Sequence, residues 1–315
     1  MGRTSKRIKQ QQRKAKKIIS IFIVLIALVL SLVAYLNPEL FGQEPDDNPS
    51  TDAGLGEDAG EVRVHVIDVG QGDSILLTAP GGNVLFDAGD LASRHEQAIK
   101  NYLTDLGITT LDYFIITHPD ADHIGGADMI LTDFTVKNVI MPDITSNSQA
   151  FAAMLDALEK SQANVIEAVA GETYTLGDLN LKILAPLKKY SDTNDMSVVI
   201  RATYGQVSMM FTGDAEGNLE GKSEKDMLAT YKASELDCDF LKVGHHGSDT
   251  SSSPAFVQAV SPKIAAISCG AGNKYGHPLQ SVLDTLNAAG VVTYRTDLSG
   301  TLVFVCDGKT IEYKK

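Results

Sequence analysis

The sequence predicts an α+β domain of two β-sheets packed face to face with helices outside, preceded by one N-terminal membrane-spanning helix. Three observations carry this. Residues 62–315 hold two β-rich halves, each interrupted by stretches of helical spacing. Residues 18–36 form a run of 19 positions without a charge, about the length that crosses a bilayer as a helix. Residues 37–61, between the two, are acidic and poor in large apolar groups.

At the N-terminus, residues 1–17 carry eight of the 27 Lys and Arg and no acid, which makes them a basic cytoplasmic tail. The bulk of the chain then lies outside the cell membrane. The apolar run is long for a cleaved signal peptide, and no small-x-small site precedes Asn37, so an uncleaved single-pass anchor over 18–36 is expected. Residues 37–61 carry eight acids and no base and are rich in Pro and Gly, which makes them a disordered tether. The remaining domain, 62–315, has 19 bases and 32 acids, a net charge of −13. The three cysteines, Cys238, Cys269 and Cys306, are widely spaced and suggest neither a disulfide framework nor a thiolate metal site. Cys269 and Cys306 sit in apolar runs and are read as buried small hydrophobes.

Within the domain, Val62 to Val69 alternates and is β-branched, a strand pattern. Ser74–Thr78 and Asn83–Phe86 are two more strands around a Pro80-Gly81-Gly82 turn. Glu96–Leu106 has helical spacing and stops at Gly107. A strand at 113–117 runs into a polar loop and a short helix from Ala127. Val139–Met141 reads as a strand and Gln149–Ser161 as an amphipathic helix. Leu179–Leu184 is a strand, and Ser197–Tyr204 with Val207–Thr212 forms a hairpin around Gly205-Gln206. A helix between Gly221 and Ala233, a strand at 240–243, a helix at 254–260 and a strand at 264–268 follow. Gln280–Ala289 is a helix ended by Gly290, and strands at 291–295, 301–306 and 310–313 close the chain.

The chemistry gathers at strand ends. After the apolar run Tyr113-Phe114-Ile115-Ile116-Thr117 comes His118-Pro119-Asp120-Ala121-Asp122-His123, with two imidazoles and two carboxylates in six residues. Such a set suits zinc or manganese, and packed on one loop these groups would repel or compete without a cation or water. Other strands end alike: Phe86-Asp87-Ala88-Gly89, Thr212-Gly213-Asp214, and Val243-Gly244-His245-His246-Gly247-Ser248. Gly276-His277-Pro278 follows a strand and a glycine-rich loop. Five of the seven histidines thus lie at strand ends or in adjoining loops.

These motifs resemble the metallo-β-lactamase superfamily, whose signature is His-x-His-x-Asp-His after a strand, then Gly-Asp and a last histidine. Aspartate replaces the second histidine here, in His118-x-Asp120-x-Asp122-His123. That change, together with Asp68-Val69-Gly70-Gln71-Gly72-Asp73-Ser74, Leu241-Lys242-Val243-Gly244-His245-His246 and Asn273-x-Tyr275-Gly276-His277-Pro278, is similar to the hydrolase domain of ComEC-type DNA-uptake proteins. The resemblance covers residues 62–312 and implies a metallo-β-lactamase-like αββα four-layer sandwich with two divalent metal ions, zinc or manganese. It implies His118 and Asp120 on the first metal, Asp122 and His123 on the second, and Asp214 bridging. His245 or His246 supplies a further ligand, and His277 either binds metal or contacts substrate. Asn194 stands where many relatives place another histidine, and exchanging imidazole for carboxylate favours manganese as a rival to zinc. Asp87 would orient a ligand from the next strand. Asp68 and Asp73 would shape a loop beside the site, and Ser248 and Asn273 would contact a phosphate.

The function so implied is membrane-anchored, metal-dependent hydrolysis with a metal-activated water as nucleophile, most of all of phosphodiesters such as single-stranded DNA. Asp122, His246 and His277 are the candidates for catalysis, with His246 or His277 holding the departing oxyanion or giving it a proton. The acidic charge argues against DNA, because phosphate neutralisation supplies most nucleic-acid affinity. Lys242, Lys263, Lys274 and Arg295 are the candidates for a local basic groove. Other readings are a hydrolase of a small envelope phosphodiester or ester (phosphocholine-esterase-like or lactonase-like) and a non-catalytic metal-containing partner of a DNA-uptake system.

Overall fold

The computed structural model describes residues 60–91 and 93–315. The basic tail, the anchor and nearly all of the acidic tether lie outside the described residues. Among the described residues, no helix is long and apolar enough to cross a membrane.

The first half runs β1 (Val62–Val66), β2 (Ile75–Ala79), β3 (Gly82–Phe86), α1 (Ser93–Asp105), β4 (Thr110–Ile115), α2 (Ala121–Ile124), α3 (Ala127–Asp133), β5 (Thr135–Met141), α4 (Gln149–Lys160) and β6 (Asn164–Glu167). The second runs β7 (Thr173–Leu176), β8 (Leu179–Ala185), β9 (Val199–Tyr204), β10 (Val207–Phe211), α5 (Ser223–Thr230), α6 (Ala233–Leu236), β11 (Phe240–Lys242) and α7 (Pro254–Val260). It ends with β12 (Ile264–Ile267), α8 (Gln280–Ala288), β13 (Val292–Arg295), α9 (Thr296–Ser299), β14 (Leu302–Cys306) and β15 (Ile311–Lys314).

Two sheets result. The eight-stranded sheet has the order β15-β14-β1-β2-β3-β4-β5-β6, and the seven-stranded sheet β13-β12-β11-β10-β9-β8-β7. Period-two burial explains the layering. From β1, Val62, Val64 and Val66 face the inter-sheet core, where they join Leu179, Leu181 and Ile183 of β8. Phe86 of β3 stacks on Phe211 of β10 across that core at 4.6 Å. Fully burying a side chain of this size contributes about 1.5–3 kcal/mol. The alternate residues Leu76, Leu85 and Phe114 point outward, against Ile99 and Leu103 of α1, Ile130 of α3 and Met154 of α4. On the other side, Val199, Met210 and Leu241 pack under α5 and α7 through Met227 and Phe256. Val282 and Leu286 of α8 cover β12. The layers are therefore helix, sheet, sheet, helix.

The division of strands differs from a simple two-half split. β14 returns to the first sheet, pairing antiparallel with β1 from Val62↔Cys306 to Val66↔Leu302. Its inward residues Leu302, Phe304 and Cys306 complete the inter-sheet core, which one half alone could not close. The sequence reading also passed over β6 and β7. Both are edge strands of four residues: β6 is mostly exposed and lacks alternation, while β7 does alternate, with Tyr174 and Leu176 turned inward, but over too short a run to stand out.

Candidate metal centre

The polar strand ends meet along one edge of the sandwich. β3 delivers Asp87, β4 delivers His118 and the α2 loop, β10 delivers Asp214, and β11 delivers His245 and His246. Several of these residues are held in strained backbone. Five described non-glycine residues have positive φ; three of them are Asp87 at 54°, His245 at 48° and His246 at 53°. A side-chain-bearing residue in this region costs about 1–3 kcal/mol and persists only where its surroundings over-determine it.

Hydrogen bonds set the tautomer of each imidazole. Asp87 accepts from the Thr117 amide at 2.8 Å and from the Thr117 hydroxyl at 2.6 Å. It also accepts from His123 Nδ1 at 2.7 Å, which leaves His123 Nε2 as a lone pair. The single Thr117 hydroxyl proton goes to Asp87, so toward His118 Nδ1, at 3.1 Å, the hydroxyl accepts. His246 Nδ1 donates to the Ser268 carbonyl at 3.0 Å. His245 Nδ1 lies 2.9 Å from Thr250 Oγ1 and 3.6 Å from Glu216 Oε1. All four rings are thereby held by Nδ1, with Nε2 turned the other way.

Those Nε2 atoms converge on Asp214. His123 Nε2 is 3.3 Å from Asp214 Oδ1. From Asp214 Oδ2, the Nε2 atoms of His245 and His246 are each 3.7 Å away and that of His118 is 3.9 Å away. Asp122 Oδ2 lies 3.4 Å from His246 Nε2, and the half-exposed Asp120 lies 4.0 Å from His118 Nε2. Four of these buried atoms, His118 Nε2, His123 Nε2, His246 Nε2 and Asp214 Oδ1, have no hydrogen-bond partner. Orphaned buried polar atoms are costly, and a set pointing at one space fits a cation. Ligand atoms of His118, His123 and Asp214 lie within 4.8 Å of one another, as do those of Asp122, His123 and His246. The donor set of imidazoles and carboxylates therefore fits two divalent ions sharing Asp214.

The electrostatics agree with this reading. Burial favours the neutral forms here, yet the surrounding imidazoles hold Asp214 ionised, well below the usual carboxylate range. Burial pushes His118 down to about 4, so it is neutral at neutral pH. Burial would likewise lower His246, but Asp214 and Asp73 outweigh it and raise the ring to about 10. His123 is raised for the same reason by Asp214 and Asp87. Both Nε2 positions thus demand positive charge, whether a proton or a metal ion supplies it.

Other residues singled out by sequence lie at the rim or behind the cluster. The His277 ring is 5.7 Å from the His245 ring, edge to face. Ser248 Oγ is 3.0 Å from Thr250 Oγ1, the atom that holds His245. Asn194 Nδ2 donates to Glu216 Oε1 at 3.3 Å. Asn273 uses its amide inside its own loop, donating to the Gly270 and His277 carbonyls and accepting from the Tyr275 and His277 amides.

Two expectations need correction, those for Asp73 and for the basic groove. Asp68 is exposed and shapes its turn as expected, accepting from the Gly70 amide. Asp73 instead supports the cluster from this loop, fully buried, with Oδ1 3.3 Å from His246 Nδ1. Nor do Lys242, Lys263, Lys274 and Arg295 line one groove. Lys242 is fully buried and bonded to Asp73 at 2.7 Å, because on β11 it points inward like Phe240 two positions earlier. Lys263 pairs with Asp239 at 2.7 Å and Arg295 with Asp297 at 2.6 Å.

Sequence reasoning missed Asp73, Lys242, Thr117, Ser197 and Glu216 as supports. For Lys242 the inward phase of Phe240-Leu241-Lys242 was an available signal; for the rest no local signal exists. The loop that carries Asp73 is tight: Gly72 has φ +143°, and a Cβ there would strike the Asp122 carbonyl, which accepts from the Asp73 amide at 3.1 Å. Gly72→Ala is expected to lower Tm by about 5 °C or more in a thermal melt.

Comparison with known proteins agrees with this geometry. A family model described as metallo-beta-lactamase superfamily matches residues 67–271. ComE operon protein 3 of Bacillus subtilis (strain 168) is 34% identical over 261 residues, covering 78% of this chain and 33% of that protein. Competence protein ComA of Neisseria gonorrhoeae is 32% identical over 245 residues, covering 78% of this chain and 32% of that protein. The chain thus spans about a third of the length of these curated relatives. The solved metallo-beta-lactamase fold protein YhfI from Bacillus subtilis superposes with a TM-score of 0.53 at 12% identity, over 78% of this chain and 100% of that one, a likeness of fold.

Proposed function

The chain belongs to the metallo-β-lactamase superfamily, whose members are generally metal-dependent hydrolases, and from that premise we propose that residues 62–315 hydrolyse phosphodiesters, with single-stranded DNA as the substrate. The observation that carries the hydrolase reading is the convergence of orphaned Nε2 and carboxylate atoms on Asp214. The relative named competence protein ComA supports a role in DNA uptake. In this reading a single-pass anchor over 18–36 and a tether over 37–61 hold the domain on the extracytoplasmic side of the membrane.

His118, Asp120 and His245 would hold one divalent ion, and Asp122, His123 and His246 the other, with Asp214 shared. Zinc and manganese both suit this set, and three carboxylates among seven donors favour manganese. When bound, the ions supply Lewis acidity that makes water a nucleophile at neutral pH and stabilises the oxyanions of a displacement. The chain's own residues do the rest. Asp87, Thr250 and the Ser268 carbonyl lock the imidazoles by Nδ1, so no ring has to reorient on binding. Burial of His118, His123, His246 and Asp214 keeps bulk water from the floor of the cluster, while Asp120 and Asp122 at its mouth stay part-exposed. His277, at the rim beside His245, is placed to hold the departing oxyanion by a ring N–H; burial and the neighbouring imidazoles keep it below its ordinary pKa and so neutral.

The test is hydrolysis of single-stranded DNA and of a chromogenic phosphodiester by the full chain. EDTA should abolish both activities, and manganese or zinc should restore them; hydrolysis that survives complete metal removal would refute the reading. Asp87→Asn loosens His123 and is expected to weaken metal affinity about 10–100-fold, as measured by competition with a chromophoric chelator.

A further inference from the structure

We propose that Tyr275, with Lys274 beside it, forms a subsite that stacks a nucleobase of the strand next to the phosphate being cleaved. This rests on the phosphodiester reading above and names what that site recognises besides phosphate. Tyr275 is 53% exposed, the one aromatic ring among the exposed large hydrophobic side chains of the described residues. The loop is rigidly built. Asn273 Nδ2 donates to the Gly270 carbonyl at 2.9 Å and the His277 carbonyl at 2.6 Å. Its Oδ1 accepts from the amides of Tyr275 at 3.1 Å and His277 at 3.0 Å. The loop base is tied by Cys269 N donating to Thr296 Oγ1 at 2.9 Å. The aromatic ring is thus held about half out of the surface, touched by its own chain through His277 and Lys274.

Its position connects it to the centre. The Tyr275 ring stacks on His277 at 5.5 Å with 21° between planes. His277 meets His245 at 5.7 Å, and His245 Nε2 lies 3.7 Å from Asp214. The platform is therefore two ring contacts from the proposed metal ligands.

Charge selects the kind of ring. Lys274 Nζ lies 4.9 Å from the Tyr275 centroid on a flexible stem, so a base stacking on that face would move the ammonium aside, where it stays beside the ring. A quaternary ammonium such as phosphocholine would meet like charge there, whereas a neutral planar base joined to a phosphate would gain the stack and place its anion beside the ammonium. Stacking also answers the acidity of the domain. With Lys242 buried and Lys263 and Arg295 paired to acids, recognition by a basic stripe is not built in. One base on an aromatic platform strengthens binding roughly tenfold to a hundredfold, without sequence preference.

The test is fluorescence anisotropy with the full chain, metal-free and manganese-loaded, on labelled octathymidylate and on the same backbone with abasic residues. The wild type is expected to prefer the base-bearing strand by about tenfold or more. Tyr275→Ala should bring that ratio near one, and Tyr275→Trp should restore it. Equal binding of the two strands by the wild type, no binding of either, or a ratio that survives Tyr275→Ala overturns the platform. Hydrolysis of both strands with one KM would sink the platform alone; a preference for the base-bearing strand without any hydrolysis would sink the phosphodiesterase reading and leave the platform standing.

Discussion

Asp214→Asn is expected to lower phosphodiester hydrolysis more than about 100-fold, beyond the 10–100-fold range of positions that merely orient a ligand. The carboxylate is the common neighbour of His118, His123, His245 and His246 at 3.3–3.9 Å, which places it to be shared by two ions. Asparagine keeps the shape and the amide bond from Asp214 N to Ser197 Oγ at 3.0 Å. What it removes is the anion and one of its acceptor oxygens. Metal analysis after dialysis should find two ions per chain in the wild type and at most one in the variant. Two retained ions with near-normal kcat would show that the bridge lies elsewhere.

Lys242→Met is expected to have the largest effect on stability. The ammonium and Asp73 are both fully buried and 2.7 Å apart. Removing one partner of such a pair leaves an uncompensated charge and costs about 3–5 kcal/mol. For a domain of this size that is a fall in Tm of about 10 °C. Lys242→Met combined with Asp73→Leu should recover most of the loss, because an apolar replacement of both partners is close to neutral. A single variant that melts with the wild type would mean that His246, 3.3 Å from Asp73, already balances the acid.

The two sites differ in how far they could be read from the chain. His118 to His123, Asp87, Asp214, His245 and His246 were legible because each follows an apolar strand, and a polar residue at such a point has nowhere to go but the sheet edge. Asp73 and Lys242 were not, since their pairing spans 169 positions and neither residue has a local partner. Asp68 and Asp73 look alike in a glycine-rich loop, and only the arrival of β11 buries one of them. The layers were legible through period-two burial. The return of β14 was not, because an apolar strand carries no mark of which sheet it will join.

The β1–β14 pairing has a consequence for how the domain can be displayed. β1 starts at Val62, opposite Cys306, while its other end, at Val66, leads into the loop that carries Asp73. The chain comes in at Gly60, whose carbonyl accepts from Tyr204 beside the β9–β10 turn, at the far end of the hairpin from Asp214. A stalk or a solid support attached upstream therefore grips the pole away from the cluster. Immobilised by that end, the protein would keep its mouth turned outward, open to a long polymer approaching from solution.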